Sequence, residues 1–191
     1  MEDCIVYRDL EELLILHASP TLAGIKTANL FSVRKELDTE LKKAITDFNR
    51  NMRAKKVRLL PIGRGNGRTL LYIYRPDKLE KDLTCRECVD FLSKMGYPVA
   101  KPYACLKEYA DRLSRSKCFL HEIGFFLGYP SEDVISFIEE GPKKSLCCGA
   151  WRAYKEKEEA IKIFRQFKKC RENYYFSWKA GKSLNELTPA I

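Results

Sequence analysis

The residues best equipped for chemistry are few and unevenly placed. In 191 residues there are only two histidines, His17 and His121, so any imidazole chemistry must use one of them. Eight cysteines stand at positions 4, 85, 88, 105, 118, 147, 148 and 170. Cys85-Arg-Glu-Cys88 is a C-x-x-C. At a helix start such a pair can run disulfide exchange, and it should then follow a strand in a thioredoxin-like unit. The stretch 76–83 before it is polar and has no strand pattern, so the plainer expectation is two helical residues one turn apart. Cys118-Phe-Leu-His121 adds a second pair at metal-ligand spacing. Together Cys85, Cys88, Cys118 and His121 would offer three thiolates and one imidazole, an acceptable tetrahedral zinc set. The 29 residues between the pairs exceed common zinc-ribbon spacings and read as helix.

His121-Glu122 opens like a zinc-protease motif, but Phe125 stands where the second histidine is required, and the motif fails. His121, Glu122 and the Cys147-Cys148 thiols remain the makings of a ligand or metal pocket. The plainer alternative is a hydrogen-bonded histidine on a half-buried helix face. A Cys148–His121 dyad would give a nucleophile and a base, yet no G-x-S-x-G or established Cys/His signature accompanies it. The glycines of Gly63-Arg-Gly-Asn-Gly-Arg68 fit neither the dinucleotide nor the P-loop pattern, and a hairpin turn explains them; Arg64 and Arg68 would flank its tip.

Charge marks a second region. The formal net charge is +9, and between Lys143 and Lys182 twelve Lys and Arg face four Glu. Lys162, Arg165, Lys168, Lys169 and Arg171 lie there beside Tyr174, Tyr175 and Trp178. Cations beside aromatics suit an anionic partner, whether nucleic acid, an acidic protein or a phosphorylated ligand. The aromatics fall at core spacing, so an ordinary solvated helix face is the competing expectation.

The elements that must position these groups follow from periodicity. Leu10, Leu13, Leu14 and His17 recur at helical spacing over 8–18. Ser19-Pro20 then reads as an N-cap with proline at the first helical position, opening a short turn through Gly24. Residues 28–33 suggest a strand, and Leu37, Leu41, Ala44, Ile45 and Phe48 an amphipathic helix over 36–52. At Val57 the period changes to two, and Asn66-Gly67 joins two apolar runs as a hairpin, with Pro61 marking an edge or bulged strand. Helices are expected near 84–95, 103–115, 121–127, 131–140 (capped by Ser131 and ended by Gly141) and 156–180, with a strand-like piece at 147–154.

Helices outnumber strands and the one firm strand pair is antiparallel. The expected class is therefore a single α+β domain over 1–191, with a small, partly antiparallel sheet carrying a β-hairpin near 57–75 and covered by several helices. No apolar run approaches the roughly 20 residues of a membrane span. The acidic start Met1-Glu2-Asp3 does not fit a secretory leader. A cytosolic chain with mostly reduced thiols is expected.

Several stretches resemble a known family: Leu16-His-Ala-Ser-Pro-Thr-Leu-Ala-Gly-Ile-Lys26, Tyr72-Ile-Tyr-Arg-Pro76, His121-Glu-Ile-Gly-Phe-Phe-Leu-Gly-Tyr-Pro-Ser-Glu-Asp-Val134, Cys148-Gly-Ala-Trp151, Lys169-Cys170 and Trp178. These are similar to a bacterial domain-of-unknown-function family, of clostridial type, catalogued under the number 3793. The likeness runs from about Leu10 to Leu187 and implies a single-domain cytosolic protein; it brings no activity, cofactor or catalytic residue with it. Cys85 and Cys88 lie outside its motifs.

Motif density then favours a ligand-binding or accessory module. Its pocket is expected between the segments 17–26 and 121–129, drawing on His17, Lys26, Arg75, His121, Glu122 and Cys148. The alternatives are a nucleic-acid-binding protein using the basic C-terminal helix, and a thiol- or metal-dependent enzyme.

Overall fold

The computed structural model describes residues 2–34, 36–65, 67–116 and 118–191, with side chains from Leu10 onward except those of Arg64 and Gly65. Asn66 of the expected turn lies outside the described residues, as do the side chains of Arg64 and Cys4. Backbone contacts divide the chain into two compact units, 1–76 with 167–191, and 77–166. The fold is α+β.

The first unit is built on α1 (Glu2–Leu22), β1 (Ala28–Val33), α2 (Thr39–Asn51), β2 (Arg58–Gly65) and β3 (Arg68–Tyr74). The strands form an antiparallel sheet in the order β1-β3-β2. The hairpin pairs Gly65 with Arg68, as its glycine-rich turn requires. Pro61 sits on the edge strand next to a register shift, where its missing N–H breaks no central ladder. Alternation sends Phe31, Val33, Leu59, Leu71 and Ile73 to one face. There they meet Leu14, Ile15 and Ala18 of α1 and Leu41, Ala44, Ile45 and Phe48 of α2. Asp38 caps α2 by accepting the Leu41 amide at 2.8 Å. Asn49, near the end of that helix, uses its side-chain amide to bond both the N–H and the C=O of Leu59 at 2.8 Å, closing part of the β2 edge.

Two expectations about caps are corrected. Ser19-Pro20 does not open a helix: both belong to the last turns of α1, and the Ser19 hydroxyl donates back to the Ile15 carbonyl. The helix ends instead at Gly24, which takes the left-handed conformation (φ 76°). Ser131 is likewise not a cap, since Pro130 holds that position and Ser131 is the first helical residue.

The second unit contains α3 (Pro76–Leu83), α4 (Arg86–Lys94), α5 (Pro102–Arg115), α6 (Ile123–Phe126), α7 (Ser131–Glu140) and a minimal hairpin, β4 (Cys147–Cys148) with β5 (Arg152–Ala153). The polar stretch before Cys85 is thus helical; only Leu79 and Leu83 are buried in it, too few to set a clear period. Phe91, Tyr97, Tyr109, Phe125 and Phe126 form a cluster of aromatic contacts at 5.1 to 6.1 Å. α8 (Lys157–Lys179) runs on into the first unit, and α9 (Leu184–Leu187), missed in the sequence, is fixed by a Ser183/Glu186 capping box.

Candidate functional site

Gly124 is where the site begins. A Cβ there would stand 2.7 Å from Val134 Cγ2, so only glycine lets α6 lie this close to α7. Gly149 works the same way in the turn of the β4–β5 hairpin, where a Cβ would overlap the Phe164 ring. These two approaches frame a cavity of about 220 Å³ that lies wholly within the second unit. Ile123, Val134 and Phe137 give it apolar walls, and the stacked rings of Tyr129 and Trp151, 5.4 Å apart, form another.

His121, Cys148 and Arg152 supply its reactive and charged lining. The His121 ring stands edge-on to Phe137 at 5.0 Å. Arg152 is oriented by the Pro142 carbonyl and the Ser145 hydroxyl, each 3.3 Å from Nη1. Buried Asp133 ties the walls together: Trp151 Nε1 donates to it at 2.7 Å and the Tyr154 amide at 2.8 Å. Burial pushes the Tyr129 phenol up to about 12, so it stays a neutral donor at physiological pH.

Of the residues expected from sequence, His121 and Cys148 therefore share one cavity. Glu122 does not line it: it is buried and accepts the Tyr97 hydroxyl at 2.8 Å, and Arg112 lies over the same Tyr97 ring at 4.0 Å. Sequence patterns did not single out Phe137, Asp133, Trp151 or Arg152 as site residues. The two glycines, Gly124 directly before Phe125 and Gly149 two residues before Trp151, were the available sign.

Lys26 and Arg75 stand in the first unit, outside the cavity lining. Both are nearly inaccessible and bound to backbone. The Lys26 ammonium donates to the Ala28 carbonyl, and burial lowers it to about 7. Arg75 Nε reaches the Thr21 carbonyl at 2.8 Å, Nη1 the Lys55 carbonyl at 2.9 Å, and Nη2 the carbonyls of Leu22 and Pro189. It neutralises the end of α1, where carbonyls lack amide partners and the helix dipole favours a cation. His17 is exposed on the first unit, its ring stacked on Phe31 at 5.6 Å, and partial desolvation there, then the nearby Arg171 charge, keeps its basicity below the ordinary imidazole value.

Among the described residues no group of three or more His, Cys, Asp and Glu stands where it could hold a metal ion, so the structure does not gather Cys85, Cys88, Cys118 and His121 into one ligand set. Lys162, Arg165, Lys168, Lys169 and Arg171 are all exposed on α8. Phe167 is buried as expected, whereas Phe164 and Trp178 are only half-buried. No helix among the described residues is long and apolar enough to cross a membrane.

No curated protein and no solved structure matches the chain. A family model described as Protein of unknown function (DUF3793) matches residues 14–188, a span that contains the cavity and all its lining residues. The motif resemblance and this match agree: the chain belongs to the DUF3793 family.

Proposed function

We propose that the protein is a ligand-binding module and that its site is the cavity beside His121. One observation carries this reading: an aromatic-walled hollow of about 220 Å³ has an imidazole, a guanidinium and a thiol in its lining. Its size is below the roughly 300–1,000 Å³ of drug-sized sites, which suits a small ligand. Tyr129, Trp151 and Phe137 favour a flat or apolar body, and Arg152 and His121 favour an anionic edge. A small aromatic carboxylate meets both demands.

The test is a screen of small aromatic carboxylates followed through the Trp151 indole proton resonance. A binder should shift it saturably, and Arg152→Ala should weaken that binder about tenfold, or ~1.4 kcal/mol. An unmoved indole across the screen would remove the reading, as would a shift indifferent to Arg152→Ala.

A second reading is contact between α8 and an anionic macromolecule, favoured by the exposure of all five cations. Ion pairs of Lys162 with Glu159 at 3.1 Å and of Lys168 with Glu172 at 4.0 Å leave it weaker than the first.

A further inference from the structure

The C-x-x-C does not follow a strand, but its placement on the helix is that of a working dithiol. Cys85 is the N-cap of α4, with extended backbone (φ −67°, ψ 146°), and Cys88 is in the first turn. Because Cys85 stands outside the helix, its Cβ is free of the regular helical separation, which would hold two sulfurs apart. Cys85 Sγ shares a 3.2 Å hydrogen bond with Ser131 Oγ at the start of α7, and the Cys85 thiol is near enough to that of Cys88 to influence its ionisation. Exposure is asymmetric: Cys85 is partly open to solvent, Cys88 is fully buried, and Cys105 of α5 lies buried next to Cys88.

We propose that Cys85 and Cys88 form a redox site that exchanges with low-molecular-weight disulfides, Cys85 attacking and Cys88 resolving. The Cys85 sulfur attacks one sulfur of RS–SR. The S–S bond breaks, one RS⁻ leaves and takes the proton that Cys85 gives up, and a mixed disulfide remains on Cys85. Cys88 then attacks the Cys85 sulfur, displaces the second RS⁻ and passes its proton to it. The chain loses two electrons and two protons, and RS–SR is reduced to two RSH. Access decides the order, since an incoming disulfide reaches Cys85 and not Cys88. Burial, with Cys85 and Cys105 as neighbours, pushes the Cys88 thiol far up, which keeps it protonated until the mixed disulfide is beside it.

The test uses the full chain, reduced, then exposed to oxidised glutathione, quenched in acid, alkylated and mapped by mass spectrometry. The expected product is a Cys85–Cys88 crosslink with the loss of two hydrogen masses and no glutathione retained at either position. Cys88→Ser should trap glutathione on Cys85, and Cys85→Ser should abolish the crosslink and leave residue 88 unmodified. Cys85 is half-exposed, so Cys85→Ser together with the wild-type map decides the matter even if the buried Cys88→Ser fails to fold. A Cys88–Cys105 crosslink, a stable glutathione adduct on wild-type Cys85, or reaction confined to the exposed Cys118 and Cys148 would each overturn the proposal.

Discussion

Asp133 accepts the Trp151 indole N–H at 2.7 Å on one carboxylate oxygen and the Tyr154 amide at 2.8 Å on the other. This one side chain fastens the short β4–β5 hairpin to α7 and sets the aromatic wall of the cavity. Hydrogen bonds to a charged group contribute about 1.5–3 kcal/mol each, and removing one partner leaves the indole N–H buried and unsatisfied. Asp133→Ala is therefore expected to lower unfolding free energy by about 3 kcal/mol or more, with loss of the near-UV circular dichroism of Trp151. Urea unfolding within 1 kcal/mol of wild type would show that the carboxylate does not hold the hairpin.

Arg75 should behave as a structural clamp and not as a ligand contact. Arg75→Lys keeps the charge but cannot reach carbonyls of four separate residues with one ammonium. Both Arg75→Lys and Arg75→Ala are expected to lose several kcal/mol, at about 1–3 kcal/mol for each carbonyl left buried and unbonded. Chemical denaturation measures this directly; an Arg75→Lys variant as stable as wild type would contradict it.

The buried Lys26 makes stability depend on pH. Its ammonium titrates at about 7 in the folded chain against 10.5 ordinarily. Between those values the unfolded chain binds a proton that the folded chain does not, so stability rises with pH. The limit is about 1.4 kcal/mol per pH unit. Above pH 9 the opposite holds for Cys88 and Cys105, whose thiols are raised by burial and stay protonated only when folded. Urea midpoints at pH 7, 8 and 9 should climb in wild type and level out in Lys26→Met. Parallel curves would show that Lys26 is not the group responsible.

If α8 contacts a polyanion, Lys168→Glu with Lys169→Glu should weaken binding and reduce its salt slope. Both residues are exposed, so the substitutions should leave the thermal midpoint nearly unchanged. Fluorescence anisotropy with labelled RNA and DNA at low ionic strength supplies the measurement. Binding that is undetectable there, or unaffected by the charge reversal, would leave the cations as a solvated face.

The two tryptophans test whether 1–191 unfolds as one domain, since Trp151 belongs to one unit and Trp178 to the other. In Trp178→Phe the fluorescence reports Trp151 alone, while far-UV circular dichroism reports every helix. Coincident urea transitions are expected for a single domain. Separated midpoints would make the units independent.

The sequence by itself determined the α+β class, the hairpin near 57–75, the edge role of Pro61 and the helix carried by Leu41, Ala44, Ile45 and Phe48. All of these follow from near-neighbour rules: a period of two or three to four, a glycine turn, a proline without N–H. It also picked out His121 and Cys148, because scarce reactive types stand out in a one-dimensional list. Only the tertiary structure decided that Arg75 serves backbone carbonyls, since partners such as Thr21 and Pro189 are distant in sequence, and that Lys26 is buried beside its near neighbour Ala28. It alone brought Trp151 and Arg152 into one cavity with His121, through glycine contacts that depend on how α6, α7 and the small hairpin pack. Cys85 and Cys88 belong to both levels. Their spacing is local, but one thiol is open and the other sealed because of what α5 and α7 lay against them, and burial is a property that no short window of sequence encodes.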